Sequence, residues 1–92
     1  MSTAALITRQ VTIVNELGLH ARSAAKIAAV AQKAVSSVWI ERDGETADAA
    51  SIIDMLTLAC AMGTTLTIGI ENPADADLLN HLVELVESGF GE

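Results

Sequence analysis

Aromatic residues are nearly missing from this chain of 92 residues, which has one tryptophan (Trp39), one phenylalanine (Phe90) and no tyrosine. Since 51% of the residues are hydrophobic, the core must be aliphatic and alanine-rich, a composition that suits close packing of helices on a sheet. Cysteine occurs once. Cys60 therefore has no partner for an internal disulfide, and within Leu58-Ala59-Cys60-Ala61 it reads as a buried, inert thiol. The only histidines are His20 and His81, and with Cys60 they make no metal-ligand constellation. No cofactor is implied. Apolar runs stay short of the ~18 residues that a transmembrane helix needs, and the N-terminus lacks the charged-then-apolar layout of a signal peptide. A cytoplasmic protein is expected. There are no repeats, linkers or low-complexity stretches, so residues 1–92 are expected to form one domain, just large enough for a single core.

Basic residues are scarce too. The net charge of −7 argues against nucleic acid or an anionic membrane as partner. Three of the five bases, Arg22, Lys26 and Lys33, lie within a stretch from Leu17 to Ala34 that contains no acid. Six of the twelve acids, Glu71, Asp75, Asp77, Glu84, Glu87 and Glu92, fall in the last 22 residues, which contain no base. The molecule should be electrically polarised, positive toward His20. His81 and the C-terminal acids read as parts of a solvated helix face.

From Leu6 to Val14 the pattern is that of a strand, with Ile7, Val11 and Ile13 on one face and Thr8, Gln10 and Thr12 on the other. A helix follows from Ala21 to about Lys33, turning Ala24, Ile27, Ala28 and Ala31 inward. Val35 to Arg42 reads as a strand, Asp43-Gly44 as a tight turn, and Glu45 to Asp48 as the returning strand. Ser51 is a good cap for a second helix from Ile52 to about Met62, ended by Gly63. Leu66, Ile68 and Ile70 alternate with Thr65, Thr67 and Gly69 in a fourth strand. Asn72-Pro73 opens the last helix as cap and first helical residue, with Leu78, Leu82, Leu85 and Val86 as its buried stripe. The order βαββαβα predicts an α+β fold.

One stretch organises the rest: Gly18-Leu19-His20-Ala21-Arg22-Ser23-Ala24-Ala25-Lys26. It places His20 at a strand-to-helix junction, beside backbone N–H groups that have no partner within the helix and carry the positive end of its dipole. An imidazole is substantially in its nucleophilic neutral form near neutrality. A phosphate on His20 would meet an anion site made by the main chain of Ala21, Arg22 and Ser23, with the Arg22 guanidinium as a bidentate partner. Physics alone leaves two readings open, a phosphoryl acceptor and a surface capping residue.

Asn15-Glu16-Leu17-Gly18-Leu19-His20-Ala21-Arg22 followed by Ala24-Ala25 resembles the active-site segment of the HPr family, the histidine phosphocarriers of the bacterial sugar phosphotransferase system. Val38-Trp39-Ile40-Glu41-Arg42-Asp43-Gly44 is similar to that family's hairpin, Ser51-Ile52-Ile53-Asp54-Met55-Leu56 to its regulatory serine segment, and Glu87-Ser88-Gly89-Phe90-Gly91-Glu92 to a common ending. The match runs from about Leu6 to Glu92, in order and spacing.

The resemblance implies an open-faced sandwich: a four-stranded antiparallel sheet with three helices on one face and the other face in water. On that arrangement Trp39, alternating with Val38 and Ile40, should stand exposed on the open face. It also implies a monomeric carrier rather than a stand-alone catalyst. His20 would take a phosphoryl group, at Nδ1, from the phosphohistidine of enzyme I, itself charged by phosphoenolpyruvate, and pass it to EIIA proteins or domains, with Arg22 assisting. Ser51 would be a regulatory site for an HPr kinase/phosphorylase, and capping alone also justifies a serine there. Ile52, Ile53, Met55 and Leu56 are the candidates for an apolar docking patch beside His20, shared with core packing. The alternative class is a regulatory binding module that acts through Ser51 or docking, without transport; the pairing of His20 with Arg22 weighs against it. Three departures stand out: Ser23 where proline is usual, Asp54 where glycine or a base is usual, and Ala29, Ala50 and Met62 where docking lysines are common.

Overall fold

The computed structural model describes residues 7–92; Leu6, the expected start of the first strand, lies outside the described residues. The strands are β1 (Ile7–Thr12), β2 (Val38–Arg42), β3 (Glu45–Asp48) and β4 (Thr65–Ile70), and the helices are α1 (Ala21–Ala31), α2 (Ile52–Leu56) and α3 (Ala76–Glu87). They form one antiparallel sheet in the order β1-β4-β2-β3. The helices cover one face: α1 packs against α2 and α3, and α3 against β1 and β4. This is the expected open-faced α+β sandwich.

Period-two patterning sets the register. Ile7 pairs with Ile70, Val11 with Leu66 and Ile40 with both Ile68 and Ala47, so each rung carries apolar side chains to the helices. Buried Ala24, Ile27, Ala28 and Ala31 of α1 meet them, the small residues allowing close approach. The hairpin turn reads as expected, because Asp43 and Gly44 both take left-handed backbone (φ 50° and 83°), the geometry of a type I′ turn.

Trp39 lies on the open face, as the alternation requires, but it is only half-buried rather than exposed. Its register partner is Gly69, and a Cβ built there would lie 2.1 Å from the indole. The ring therefore lies flat over the one residue of β4 that has no side chain.

Four further expectations need correction. Helix α2 ends at Leu56 rather than near Met62. Bonds from Thr57 N–H to Asp54 C=O and from Leu58 N–H to Met55 C=O tighten its end, and Ala59 then turns left-handed (φ 51°), so that Leu58 and Cys60 both point into the core. Strand β2 begins at Val38 rather than Val35, because the main-chain N–H groups of Val35 and Ser36 donate instead to the buried Asp75 carboxylate, at 2.8 and 3.1 Å. Asn72 does cap, accepting from Ala74 N–H at 2.9 Å, yet Pro73–Asp75 form a 3-10 turn before α3 begins. The stripe of α3 is rotated: Leu79, Leu82, Val83 and Val86 are buried, while Leu78 and Leu85 flank them half-buried.

Candidate functional site

The loop between β1 and α1 is shaped by close approach. Gly18 has φ +66°, and a Cβ on it would lie 2.5 Å from the Cys60 carbonyl oxygen and 2.9 Å from Ala61 Cα. The neighbouring Leu19 N–H donates to that same Cys60 carbonyl at 2.8 Å. The segment after α2 is thus held against the turn that precedes His20. Cys60 contributes its main chain only, since burial pushes its thiol pKa upward, with Arg42 opposing. That matches the expected inert cysteine.

His20 is the N-cap of α1, with extended backbone (φ −124°, ψ −178°). Its carbonyl accepts the first helical bond, from Ala24 N–H at 2.8 Å. Its own N–H donates to Ser23 Oγ at 2.9 Å, and the same hydroxyl reaches back to the carbonyls of Gly18 and His20. Ser23 is fully buried, so its hydroxyl pins the loop from behind, and what it can offer a phosphate is its main-chain N–H. The sequence reading placed Ser23 at the phosphate but missed this cap, whose signal is a hydroxyl three residues after the cap residue.

The two imidazole nitrogens meet different partners. Nδ1 accepts from Arg22 N–H at 3.3 Å and so carries the lone pair, facing the first turn of α1. Nε2 lies 2.6 Å from Glu92 Oε2 and, in the neutral ring, must be the nitrogen that bears the proton. Glu92 is held in turn by the Asn15 amide, which donates to Glu92 Oε1 at 3.0 Å and to the Gly18 carbonyl at 2.8 Å. The hydrogen bond from His20, then that from Asn15, holds the Glu92 carboxyl below the ordinary carboxylate pKa. A lowered carboxyl pKa stabilises the folded contact above the ordinary value of 4.5 and loses that contribution as pH falls through the folded value. Carboxyl carbon NMR should therefore show Glu92 titrating below a free glutamate and moving back up in a His20→Ala variant. A normal midpoint in both proteins would break the contact.

Arg22 is exposed and, among the described residues, makes no ion pair. Its guanidinium is available to an incoming anion. Lys26 turns away and donates to the Phe90 carbonyl. Ser51 caps α2, accepting from Asp54 N–H at 3.2 Å, while the Asp54 carboxylate folds back to accept from Asp48 N–H at 2.6 Å. Of the apolar docking candidates, Ile53 is 79% exposed and Ile52 and Leu56 are 37% exposed, whereas Met55 is fully buried. Met55 is thus a core residue: its helical position turns it toward the sheet. Leu17 and Met62, absent from the sequence-based patch, are exposed on neighbouring loops at 71% and 56%. His81 is exposed on α3. Among the described residues no group of three or more His, Cys, Asp or Glu could hold a metal ion, and no helix is long and apolar enough to cross a membrane.

The chain is similar to known phosphocarrier proteins. A family model described as the PTS HPr component phosphorylation site matches residues 7–88. The phosphocarrier protein HPr of Cupriavidus necator is 38% identical over 87 residues, covering 95% of this chain and 98% of its own. The phosphocarrier protein NPr of Shewanella violacea is 41% identical over 87 residues, covering 94% of each. The crystal structure of HPr-C-His from Thermoanaerobacter tengcongensis superposes with a TM-score of 0.87 at 34% identity, covering 94% of this chain and 97% of that one.

Proposed function

This chain belongs to the HPr family of phosphocarrier proteins, and on that premise we propose that His20 carries the phosphoryl group, taking it from the phosphohistidine of enzyme I and giving it to a histidine of an EIIA protein or domain. The observation that carries this reading is the Nδ1 lone pair of His20, aimed at the first turn of α1 and held there by only the long 3.3 Å contact from Arg22 N–H. When phosphorus bonds to Nδ1, the Arg22 N–H that Nδ1 had accepted becomes free for a phosphate oxygen. The N–H groups of Ala21 and Ser23 lie in the same turn, at the positive end of the helix dipole. The exposed Arg22 guanidinium supplies the remaining charge.

Ile52, Ile53 and Leu56, the apolar residues that α2 leaves exposed, form the apolar face against which a partner docks. A phosphate on Ser51 would set roughly −1.5 to −2 charges at the edge of that face, so phosphorylation by an HPr kinase/phosphorylase would reduce docking. The carrier works in the cytoplasm as a monomer, within sugar uptake or its regulation.

The test is incubation with enzyme I and labelled phosphoenolpyruvate. Label should appear that is labile to acid and stable to base, as expected for a phosphoramidate; acid-stable label would sink the reading. Arg22→Ala should still be labelled, about tenfold more slowly, since it loses one charge-assisted contact in an exposed setting. Wild-type rates in that variant would leave the arginine no part in transfer.

A further inference from the structure

On the carrier reading just given, we propose that Glu92 is a positioning residue for the transfer, holding the proton on Nε2 of His20 before, during and after the phosphoryl group resides on Nδ1. The fold supplies an anchor for this. Both oxygens of the Glu92 carboxylate are engaged, Oε2 with His20 Nε2 at 2.6 Å and Oε1 with the Asn15 amide at 3.0 Å. Asn15 is only 7% exposed, and its amide also grips the Gly18 carbonyl, in the turn that sets the position of His20. The segment that carries Glu92 is fixed by Phe90, 1% exposed in the core, whose carbonyl receives Lys26. A buried frame thus delivers one carboxylate to a half-exposed imidazole.

The chemistry explains what that carboxylate does. In the forward step the Nδ1 lone pair forms a bond to phosphorus. The bond from phosphorus to the donor imidazole nitrogen breaks, and its electron pair leaves with the donor. No proton moves: Nε2 keeps its hydrogen, and the ring becomes a phosphorylated imidazolium beside an anion. In the reverse sense, or in onward transfer, the departing imidazole is neutral, a far better leaving group than the imidazolate that a ring lacking the Nε2 proton would become. Glu92 therefore does two things with one contact. It selects the neutral tautomer whose Nδ1 is nucleophilic, and it keeps the phosphorylated ring in the protonated form that can give the group away. The other charged groups near the ring are Arg22 and Lys26 of α1, and Glu16, which shares a cleft of about 380 Å³ with Asn15 and Glu92. Of these acids, Glu92 is the one bonded to Nε2.

Two readouts test this in wild type, Glu92→Gln and Glu92→Ala. Imidazole nitrogen NMR of the neutral ring should show wild-type His20 with hydrogen on Nε2 and a bare Nδ1, and Glu92→Ala, which has no acceptor for that hydrogen, should relax toward mixed tautomers. The phosphorylated proteins should lose label by hydrolysis at rates that fall as pH rises. At a fixed pH on that falling limb, Glu92→Ala should lose label about tenfold more slowly than wild type, with Glu92→Gln close to Glu92→Ala because an amide oxygen brings no charge to favour the protonated ring. A merely structural residue would move neither the tautomer nor the limb. Should wild type take no label from enzyme I, the carrier reading falls. Should wild type take label while the three limbs coincide and the nitrogen spectra agree, the carrier reading stands and the role of Glu92 falls.

Discussion

His20→Ala should take no phosphoryl group from enzyme I at all, while the protein folds and melts almost as before. The loss is complete because the described residues hold no substitute at the site: His81 lies exposed on α3, and Cys60 is buried with its thiol pKa raised. The fold survives because His20 stabilises α1 mostly through its main chain, by way of Ala24 N–H and Ser23 Oγ, and alanine keeps both bonds. What disappears is the long Arg22 N–H to Nδ1 contact at 3.3 Å, a cap worth about 0.5–1 kcal/mol, and with it the Glu92 pair. A domain of this size then melts only about 2–8 °C lower. Labelling and a thermal scan decide it together, with His81→Ala as the control that must remain fully labelled. Residual label on His20→Ala, or equal loss in the control, would move the acceptor elsewhere.

Gly18→Ala should be the most damaging single-methyl change near the site, costing about 3 kcal/mol. Two penalties combine there. A left-handed backbone costs a non-glycine residue about 1 kcal/mol, and a Cβ 2.5 Å from the Cys60 carbonyl adds overpacking of about 1–3 kcal/mol. The obstacle is main chain on both counts, Cys60 oxygen and Ala61 Cα, so no rotamer change relieves it. Either the loop before His20 or the segment after α2 must shift, breaking the Leu19 N–H to Cys60 bond and displacing the Gly18 carbonyl from Asn15 and Ser23. Phosphoryl acceptance should fall with stability. Gly63 is the natural comparison: its φ is +91°, with nothing within 4 Å of a built Cβ, so alanine there costs only the backbone strain. Melts of the two variants separate strain from collision. Equal losses would mean that the Gly18 approach is soft.

What the sequence made legible was what neighbouring residues decide. The caps at Ser51 and Asn72, the Asp43-Gly44 turn and the alternation of Leu66, Ile68 and Ile70 each follow from backbone hydrogen-bonding rules within a few positions. His20 at the start of a helix belongs to the same class, and the family resemblance then supplied its partners. What could not be read is what the chain brings together from afar. Glu92 reaches His20 across 72 positions, and Asp75 reaches Val35 across 40, with no period to announce either. The early end of α2 is illegible for a related reason. Ala59 is a strong helix former, and only the burial of Leu58 and Cys60 on either side forces its left-handed turn. Met55 entered the expected docking patch because four apolar neighbours do not reveal which of them faces inward.

The placement of the indole over Gly69 makes the protein optically convenient. With one tryptophan and no tyrosine, near-ultraviolet emission comes from Trp39, on the face of the sheet opposite the helix that carries His20. That light reports whether β2 and β4 remain paired, because the ring is shielded only while Gly69 lies beneath it. It is blind to charge arriving at the α1 terminus. Unfolding curves of bare and phosphorylated protein recorded by this signal can therefore be compared directly, and their separation gives the free-energy linkage between folding and phosphoryl occupancy.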